Sequence, residues 1–562
     1  MLGLPPTRLI ELNNENAENI KIVELIHTDI YATVSYCWGG DQFVKTTTAT
    51  ILQHQIGIEI SSLGQTLQDA IRVARSLNIP YLWVDSLCII QDDAQDMARE
   101  IAKMSEYYEN GYVSICASVA SSCSEGFLGA RTNNPYLYGP FELPYRGPGN
   151  HLGSIKLVRY HKYSRSKEPV TARAWIMQES ILAPRLLSYS YQSMAWSCRK
   201  ANHSDGGPTR HEWYDFGDRR TWANLQDEKD VEIILRKWNR LVESYTSRNL
   251  SDSKDRLPAI SGIAQKCVKL LRKHLPADPE STGLGLERTV DTVPENDPER
   301  VNYVAGLWYC QVRFGTAPTM FSQQLLWSTS YYRSQTKHYQ STDHEPDTIS
   351  RELIASTLDA SRGSKPSIPT TKISQLLGSS SNRRYLAPSW SWAAVEVPIF
   401  YESTHKGLPQ SSTFTIISCG TDLELSEAPY GNVTFGRLTV SGLLIPVGLT
   451  FHHTLYKQFL GWKLVYRPDT KESAAVLSKV MERKSEGWVL QLTDEGDMTS
   501  NKPIDPNWTA NAPKGLLIVA DGEYYRRIGL CSIERHTGNA SKIGDTEGLF
   551  RSFGEEKQIT II

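Results

Sequence analysis

The sequence predicts an α/β N-terminal domain, a parallel sheet flanked by helices, followed by a helical region and a β-rich C-terminal region. Three observations carry this. Between residues 31 and 190, short apolar runs alternate with helix-period segments, the pattern of parallel strands joined by crossover helices. Past residue 190 the pattern turns polar and then helical. From about residue 436 apolar and polar residues alternate in twos, as in Leu438-Thr439-Val440-Ser441-Gly442.

Residues 32–36 read as a short strand running into the turn Cys37-Trp38-Gly39-Gly40. Over 66–77, Leu67, Ala70, Ile71, Ala74 and Leu77 recur at helical spacing with Arg72 and Arg75 off that face; Asn78 and Pro80 end the helix. Residues 81–84 are an apolar run suited to a buried parallel strand that terminates at Asp85. A second helix carries Met97, Ile101, Met104 and Tyr108 along one stripe and closes at Asn110-Gly111. Residues 112–117 form a third buried strand, and 121–170, richer in Gly, Pro, Ser and Tyr, an insertion or long loop. A polar excursion follows at 201–217, then helices at 231–245 and 258–271. The stretches 276–300 and 332–384 are polar and rich in Pro, Ser and Thr, exposed or partly disordered in expectation. The domains expected are a lead-in at 1–27, an α/β domain at 28–190, a mainly helical region at 191–330, a polar linker at 331–384 and a β-rich region at 385–562.

Composition removes several function classes. The 562 residues include 60 basic and 62 acidic side chains, for a net charge of -2, so no global field recruits nucleic acid or anionic membrane. The nine cysteines include no C-x-x-C pair, which argues against a zinc ribbon or a thioredoxin-type site. The N-terminus lacks the apolar core of a signal peptide, and no stretch approaches the ~20 apolar residues of a membrane helix. A reducing cytoplasm is the expectation, and Asn-x-Ser/Thr sites such as Asn202, Asn249 and Asn432 then carry no weight. There is no G-x-x-x-x-G-K-[ST], G-x-S-x-G or H-E-x-x-H segment. Gly283-Leu-Gly285 lacks a third glycine, and His452-His453 lacks evident metal partners, so no metal site is expected.

Three segments fall where a parallel sheet presents its ligand-facing loops, outside the carboxyl ends of the strands. In residues 31–41 the glycines, Gly39 among them, permit close backbone approach, and Trp38 is either a stacking surface or a packing side chain in a tight turn. In residues 81–93, Asp85 either accepts hydrogen bonds from a ribose or caps nearby backbone N–H groups, and Cys88 reads as a small buried thiol better than as a nucleophile, since no His lies near it. In residues 171–182, Trp175 and Glu179 are four apart and share a helical face, with Arg173 at the helix start. Glu179 is then a carboxylate held beside an aromatic wall, or an ion-paired residue of a packing helix.

Residues 31–40 (Y-A-T-V-S-Y-C-W-G-G), 83–93 (W-V-D-S-L-C-I-I-Q-D-D) and 173–179 (R-A-W-I-M-Q-E) resemble the three signature blocks of the fungal heterokaryon-incompatibility (HET) domain, in the family's order. Residues 104–108 (M-S-E-Y-Y), 184–189 (P-R-L-L-S-Y) and 196–198 (W-S-C) are similar to its intervening helix and continuation. Residues 238–265, 303–308 and 387–392 extend the likeness along most of the chain. Ser86 stands where Ala is usual, and Ile90 where Asn is usual.

The resemblance implies a role in vegetative incompatibility, in which fusion of unlike fungal cells triggers programmed death. The family's domain has been likened to the flavodoxin-like Toll/interleukin-1-receptor (TIR) fold. Val34-Ser35-Tyr36 resembles the I-S-Y of its first strand, and Trp175 with Glu179 its W-x-x-x-E. The Glu of that motif is catalytic in members that hydrolyse NAD, so the likeness implies NAD as substrate rather than cofactor. It assigns Glu179 the catalytic role and Trp38, Gly39, Asp85, Arg173 and Trp175 the binding of substrate. The alternative is a non-enzymatic signalling module that assembles with itself or with an incompatibility partner or receptor protein.

Overall fold

A computed structural model describes residues 6–13, 18–24, 30–42, 44–129, 141–157, 168–191, 194–205, 217–274, 301–310, 317–329, 385–401, 411, 413–426, 428–447, 462–483, 487–493, 514–535 and 554–562. The polar stretch 276–300, the linker at 331–384, the His452-His453 pair and most of the 201–217 excursion lie outside the described residues. The chain divides into two units, one of residues 1–227, 248–251 and 258–263, the other of residues 228–247, 252–257 and 264–562.

The first unit is built on β1 (Leu9–Glu11), β2 (Asn19–Val23), β3 (Tyr31–Ser35), α1 (Ile51–Ile56), β4 (Ile58–Glu59), α2 (Gln65–Ser76), β5 (Tyr81–Trp83), α3 (Asp85–Cys88), α4 (Ala94–Asn110), β6 (Val113–Cys116), β7 (Phe141–Arg146), β8 (Leu152–Leu157), α5 (Ala174–Leu182), β9 (Arg185–Tyr189), β10 (Met194–Cys198) and β11 (Asn202–Ser204). Nine of the strands form one sheet in the order β11-β10-β9-β6-β3-β5-β1-β2-β4. Its centre, β9-β6-β3-β5, is parallel. The strands on either side of that centre run antiparallel. The expected parallel sheet is thus the middle of a mixed one, and two strands of the 1–27 segment belong to it. Within the stretch expected as an insertion or long loop, β7 and β8 form a separate hairpin.

The central strands are covered on both faces, and every residue of β3 is buried. Two-residue alternation gives one face Ala32, Val34, Leu82, Val84, Val113 and Ile115, all buried in one core with Leu67, Ala70, Ile71, Val73 and Ala74 of α2. The strand register puts Thr33, Ser35, Trp83, Ser114 and Cys116 on the other. There Trp83 meets the rings of Tyr107 and Tyr108 from α4, each at 5.6 Å between centroids.

Both expected helices between the parallel strands form, with two corrections. Leu77 does not point inward: α2 stops at Ser76, Asn78 turns the chain with φ of 56°, and Leu77 is 46% exposed while Val73 fills the core. In α4, Met104 and Tyr108 are buried as expected, but the same face also buries Asp96 and Glu100. Arg8, just before β1, explains this, because it donates to Asp96 and, at 2.7 Å, to the Cys88 carbonyl. Glu100 accepts from Thr7 at 2.7 Å and from Tyr107 at 2.9 Å. Buried charge is tolerated only when paired in this way.

The second unit contains the helix Val231–Thr246, matching the expectation at 231–245, and a β-rich end. There Val433–Pro446 pairs with both Gly487–Gln491 and Glu555–Ile561. Gly487–Gln491 leads through Lys514–Asp521 to Tyr524–Arg535, which meets Glu555–Ile561 again and closes a barrel. Arg527 is buried there, bonded to Asp469 at 3.0 Å and stacked 3.4 Å from the Trp327 ring centroid. Among the described residues, no helix is long and apolar enough to cross a membrane.

Candidate functional site

The three segments singled out in the sequence meet at one end of the parallel strands. β3 runs out through Tyr36 and Cys37 into a turn with Gly39 at φ of 73° and Gly40 at φ of 140°, both in the region glycine adopts readily. Buried Gln42 locks that turn by donating to the Trp38 carbonyl at 3.0 Å. β5 ends at Trp83 and leads through Val84 into α3, whose first residue is Asp85. Arg173 is the N-cap of α5, and Glu179 lies inside that helix.

Direct hydrogen bonds join the segments. The indole N–H of Trp38 donates to Asp85 Oδ2 at 3.0 Å, and the amide of Ser86 donates to Asp85 Oδ1 at 2.7 Å. Asp85 is therefore both a side-chain partner and a backbone cap. The Arg173 guanidinium donates to the Tyr36 carbonyl. The Ser35 hydroxyl donates to Glu179 Oε2 at 2.5 Å. The structure thus brings together Trp38, Asp85, Arg173 and Glu179. Gly39 stands exposed on the same turn, and half-buried Trp175 packs against the core of the sheet.

Glu179 is 6% exposed. Burial pushes its carboxyl up to about 7; the Ser35 hydroxyl, Arg173 and Tyr108 pull it down, and the charge of Asp85 pushes it further up. Burial also raises Asp85, against the pull of Arg173, of the Ser86 amide and of the Trp38 N–H. Two carboxyls raised by burial and lying in the field of one guanidinium are perturbed in the way groups that do chemistry are. Cys88 is fully buried, its thiol pushed up to about 12 by burial, so it stays protonated and inert. Among the described residues no cluster of His, Cys, Asp and Glu could hold a metal ion.

Sequence reasoning missed three contributors. Ser35 and Tyr108 touch or face Glu179, and Tyr108 spends its hydroxyl hydrogen on the Val34 carbonyl at 2.9 Å. The third is the segment after β6. The Cys123 amide donates to the Trp38 carbonyl at 3.1 Å, Thr66 donates to the Ser122 carbonyl at 3.1 Å, and Asp69 accepts from the amides of Phe127 and Leu128 at 2.8 and 3.0 Å. Glycines carried the signal: a Cβ on Gly39 would lie 2.1 Å from Ser122 Cβ, and one on Gly64 2.4 Å from Cys123 Sγ. The departure at Ser86 also has a consequence, since its hydroxyl accepts from Tyr36 at 2.9 Å and braces the first segment on the second.

No curated protein and no solved structure matches the chain. Residues 31–179, from the start of β3 to the buried carboxyl of α5, match the family model described as Heterokaryon incompatibility protein (HET), a domain associated with heterokaryon incompatibility.

Proposed function

We propose that the protein acts in self/non-self recognition of the heterokaryon-incompatibility type, and that its first unit promotes cell death by hydrolysing NAD. One observation carries the reading: Glu179, desolvated and held by Ser35, sits where the Trp38, Asp85 and Arg173 segments converge at the strand ends. Cleaving the nicotinamide–ribose bond builds positive charge on the sugar, an oxocarbenium-like state that a nearby carboxylate stabilises. The C1′–N electron pair leaves with nicotinamide, a water oxygen bonds to C1′, and the water proton passes to Glu179 and then to solvent. Neither a metal nor a second acid is required. Half-buried Trp38 and Trp175 offer rings against which a base stacks, and Asp85 an acceptor for ribose hydroxyls.

The test is the NAD content of cells expressing the wild-type chain or Glu179→Gln. Wild type is expected to deplete NAD and the variant to spare it; equal NAD in cells killed by both refutes the reading. The low exposure of Glu179 favours a second one, in which its carboxyl only braces a non-enzymatic signalling surface. In that case the purified chain releases no nicotinamide, and Glu179→Gln kills as wild type does.

A further inference from the structure

Glu179 rests on a sheet face with an odd composition for a buried core. Along β3, β6 and β9 that face carries one leucine, Leu186, beside Thr33, Ser35, Ser114, Cys116 and Ser188, all buried. A purely structural parallel sheet would put Val, Ile or Leu there. The serine hydroxyls among them lie close enough to a neighbour to exchange hydrogen bonds, whereas that of Thr33 has no partner among the described residues. Ser35 Oγ is 2.5 Å from Glu179 Oε2 on one side and 3.5 Å from Ser114 Oγ on the other. Farther along, the Ser118 and Ser188 hydroxyls are 2.9 Å apart.

A serine hydroxyl has one hydrogen and two lone pairs, and it turns freely about its C–O bond. An ionised carboxylate only accepts, so Ser35 must then give its hydrogen to Glu179. A protonated carboxyl has a hydrogen of its own to donate. Ser35 is then better used as an acceptor, and its hydrogen needs another home. Ser114 supplies one, and the long separation between the two serines fits a resting position left unused while the hydrogen is spent on Glu179.

We infer that the Ser35 hydroxyl is a two-position rotor that holds Glu179 in both of its protonation states. It donates to the carboxylate in one state; in the other it accepts from the acid and turns its own hydrogen to Ser114. Ser35 is on this account a positioning residue, and the inference rests on the reading of Glu179 as the site carboxylate. The other groups facing Glu179 are Arg173 at the start of its own helix, Asp85 on α3, Tyr108 on α4 and Cys37 beyond β3. Arg173 is bonded to the Tyr36 carbonyl, Asp85 accepts from Trp38 and Ser86, and Tyr108 donates to the Val34 carbonyl. Cys37 is buried and its thiol raised by that burial. Tyr108 alone among these also reaches both Glu179 and Ser35 with its hydroxyl, but its hydrogen is held by the Val34 carbonyl at 2.9 Å.

The rotor makes two predictions of opposite sign. Removing the donor to the ionised form disfavours that form, so Ser35→Ala moves the Glu179 titration midpoint up by about one pH unit. Removing the acceptor needed in the protonated form does the reverse, so Ser114→Ala moves it down by about half a pH unit. Ser35→Thr keeps the hydroxyl and restores the wild-type midpoint. The measurement is the infrared carboxyl band of the full chain over a pH titration, assigned to Glu179 by its loss in Glu179→Gln. A midpoint unmoved by Ser35→Ala, or shifted in the same direction by both alanine variants, overturns the rotor. If Ser35→Ala does not fold, the downward shift in Ser114→Ala and the rescue by Ser35→Thr decide the question. Nicotinamide release, assayed separately, keeps the two ideas distinguishable. Opposite shifts without release retain the rotor and remove NAD hydrolysis; release with unmoved midpoints does the converse.

Discussion

Replacing Glu179 by Gln keeps the shape of the side chain and the oxygen to which Ser35 donates, and deletes the charge. In the native protein burial raises this carboxyl from the ordinary 4.5 to about 7. The sign of the effect on stability follows from where the proton sits. Below the ordinary value both folded and unfolded chains are protonated, and Glu179 costs nothing. Between the two values the unfolded chain has released a proton that the native state still holds, so stability falls as pH rises. Above the raised value both states are ionised and the loss is complete. At ~1.4 kcal/mol per pH unit, the gap between the two values amounts to about 3 kcal/mol. Urea unfolding of the full chain, followed by proteolysis and detection of peptides from the first unit, reads this directly. Wild type and Glu179→Gln are expected to agree within ~1 kcal/mol near about pH 5, and the variant to be more stable by about 3 kcal/mol near about pH 8.5. Equal stability at both pH values would refute the claim that the native site strains its own carboxylate.

Other substitutions probe the frame around that carboxyl. Gly39→Ala puts a Cβ on a residue at φ of 73° and drives it against Ser122; a loss of ~2 kcal/mol or more in the urea midpoint of the first unit is expected. Trp38→Phe keeps an aromatic ring but removes the N–H held by Asp85. Because Asp85 is half-buried, the cost is only ~1 kcal/mol, and its ionisation, followed by carboxyl NMR, moves upward as the charged form loses a donor. Arg8→Met leaves Asp96 buried without its deepest cation and is expected to cost ~3 kcal/mol in thermal or urea unfolding; adding Asp96→Leu recovers part of that loss.

The centre of the first unit was legible because its pattern is strong. Helical periodicity in residues 66–77, an apolar run ending at Asp85 and a turn rich in glycine after β3 locate strands, helices and strand ends without reference to neighbours. The flanking strands were not legible. β1 and β11 have three residues each and β4 has two, too few for alternation to register, and their pairing is decided by the sheet they join. Leu77 was misread because it keeps the helical spacing although α2 stops one residue before it, at Ser76, and the terminal residue faces outward. In the site, Trp38 and Asp85 drew notice as an aromatic and a charged group at strand ends, and Arg173 and Glu179 as charged groups of one helix. Ser35 did not, because a serine inside an apolar strand looks like spacing until the register sets it beneath a carboxyl. Ser122 and Cys123 were hidden for another reason, as they reach the site through backbone contacts that any side chain could accompany.

The ends of the nine-stranded sheet bear on how copies of this chain could associate. A long bare border invites another polypeptide to continue the ladder, the route by which many folded domains polymerise unintentionally. Here the last strand on one side is Ile58–Glu59 and on the other Asn202–Ser204, so each rim presents only a rung or two of backbone to a newcomer. Lateral growth by strand addition would gain little at either rim. Association through this sheet would have to use side-chain surfaces, and its affinity should respond to surface substitutions rather than to prolines introduced at the rims.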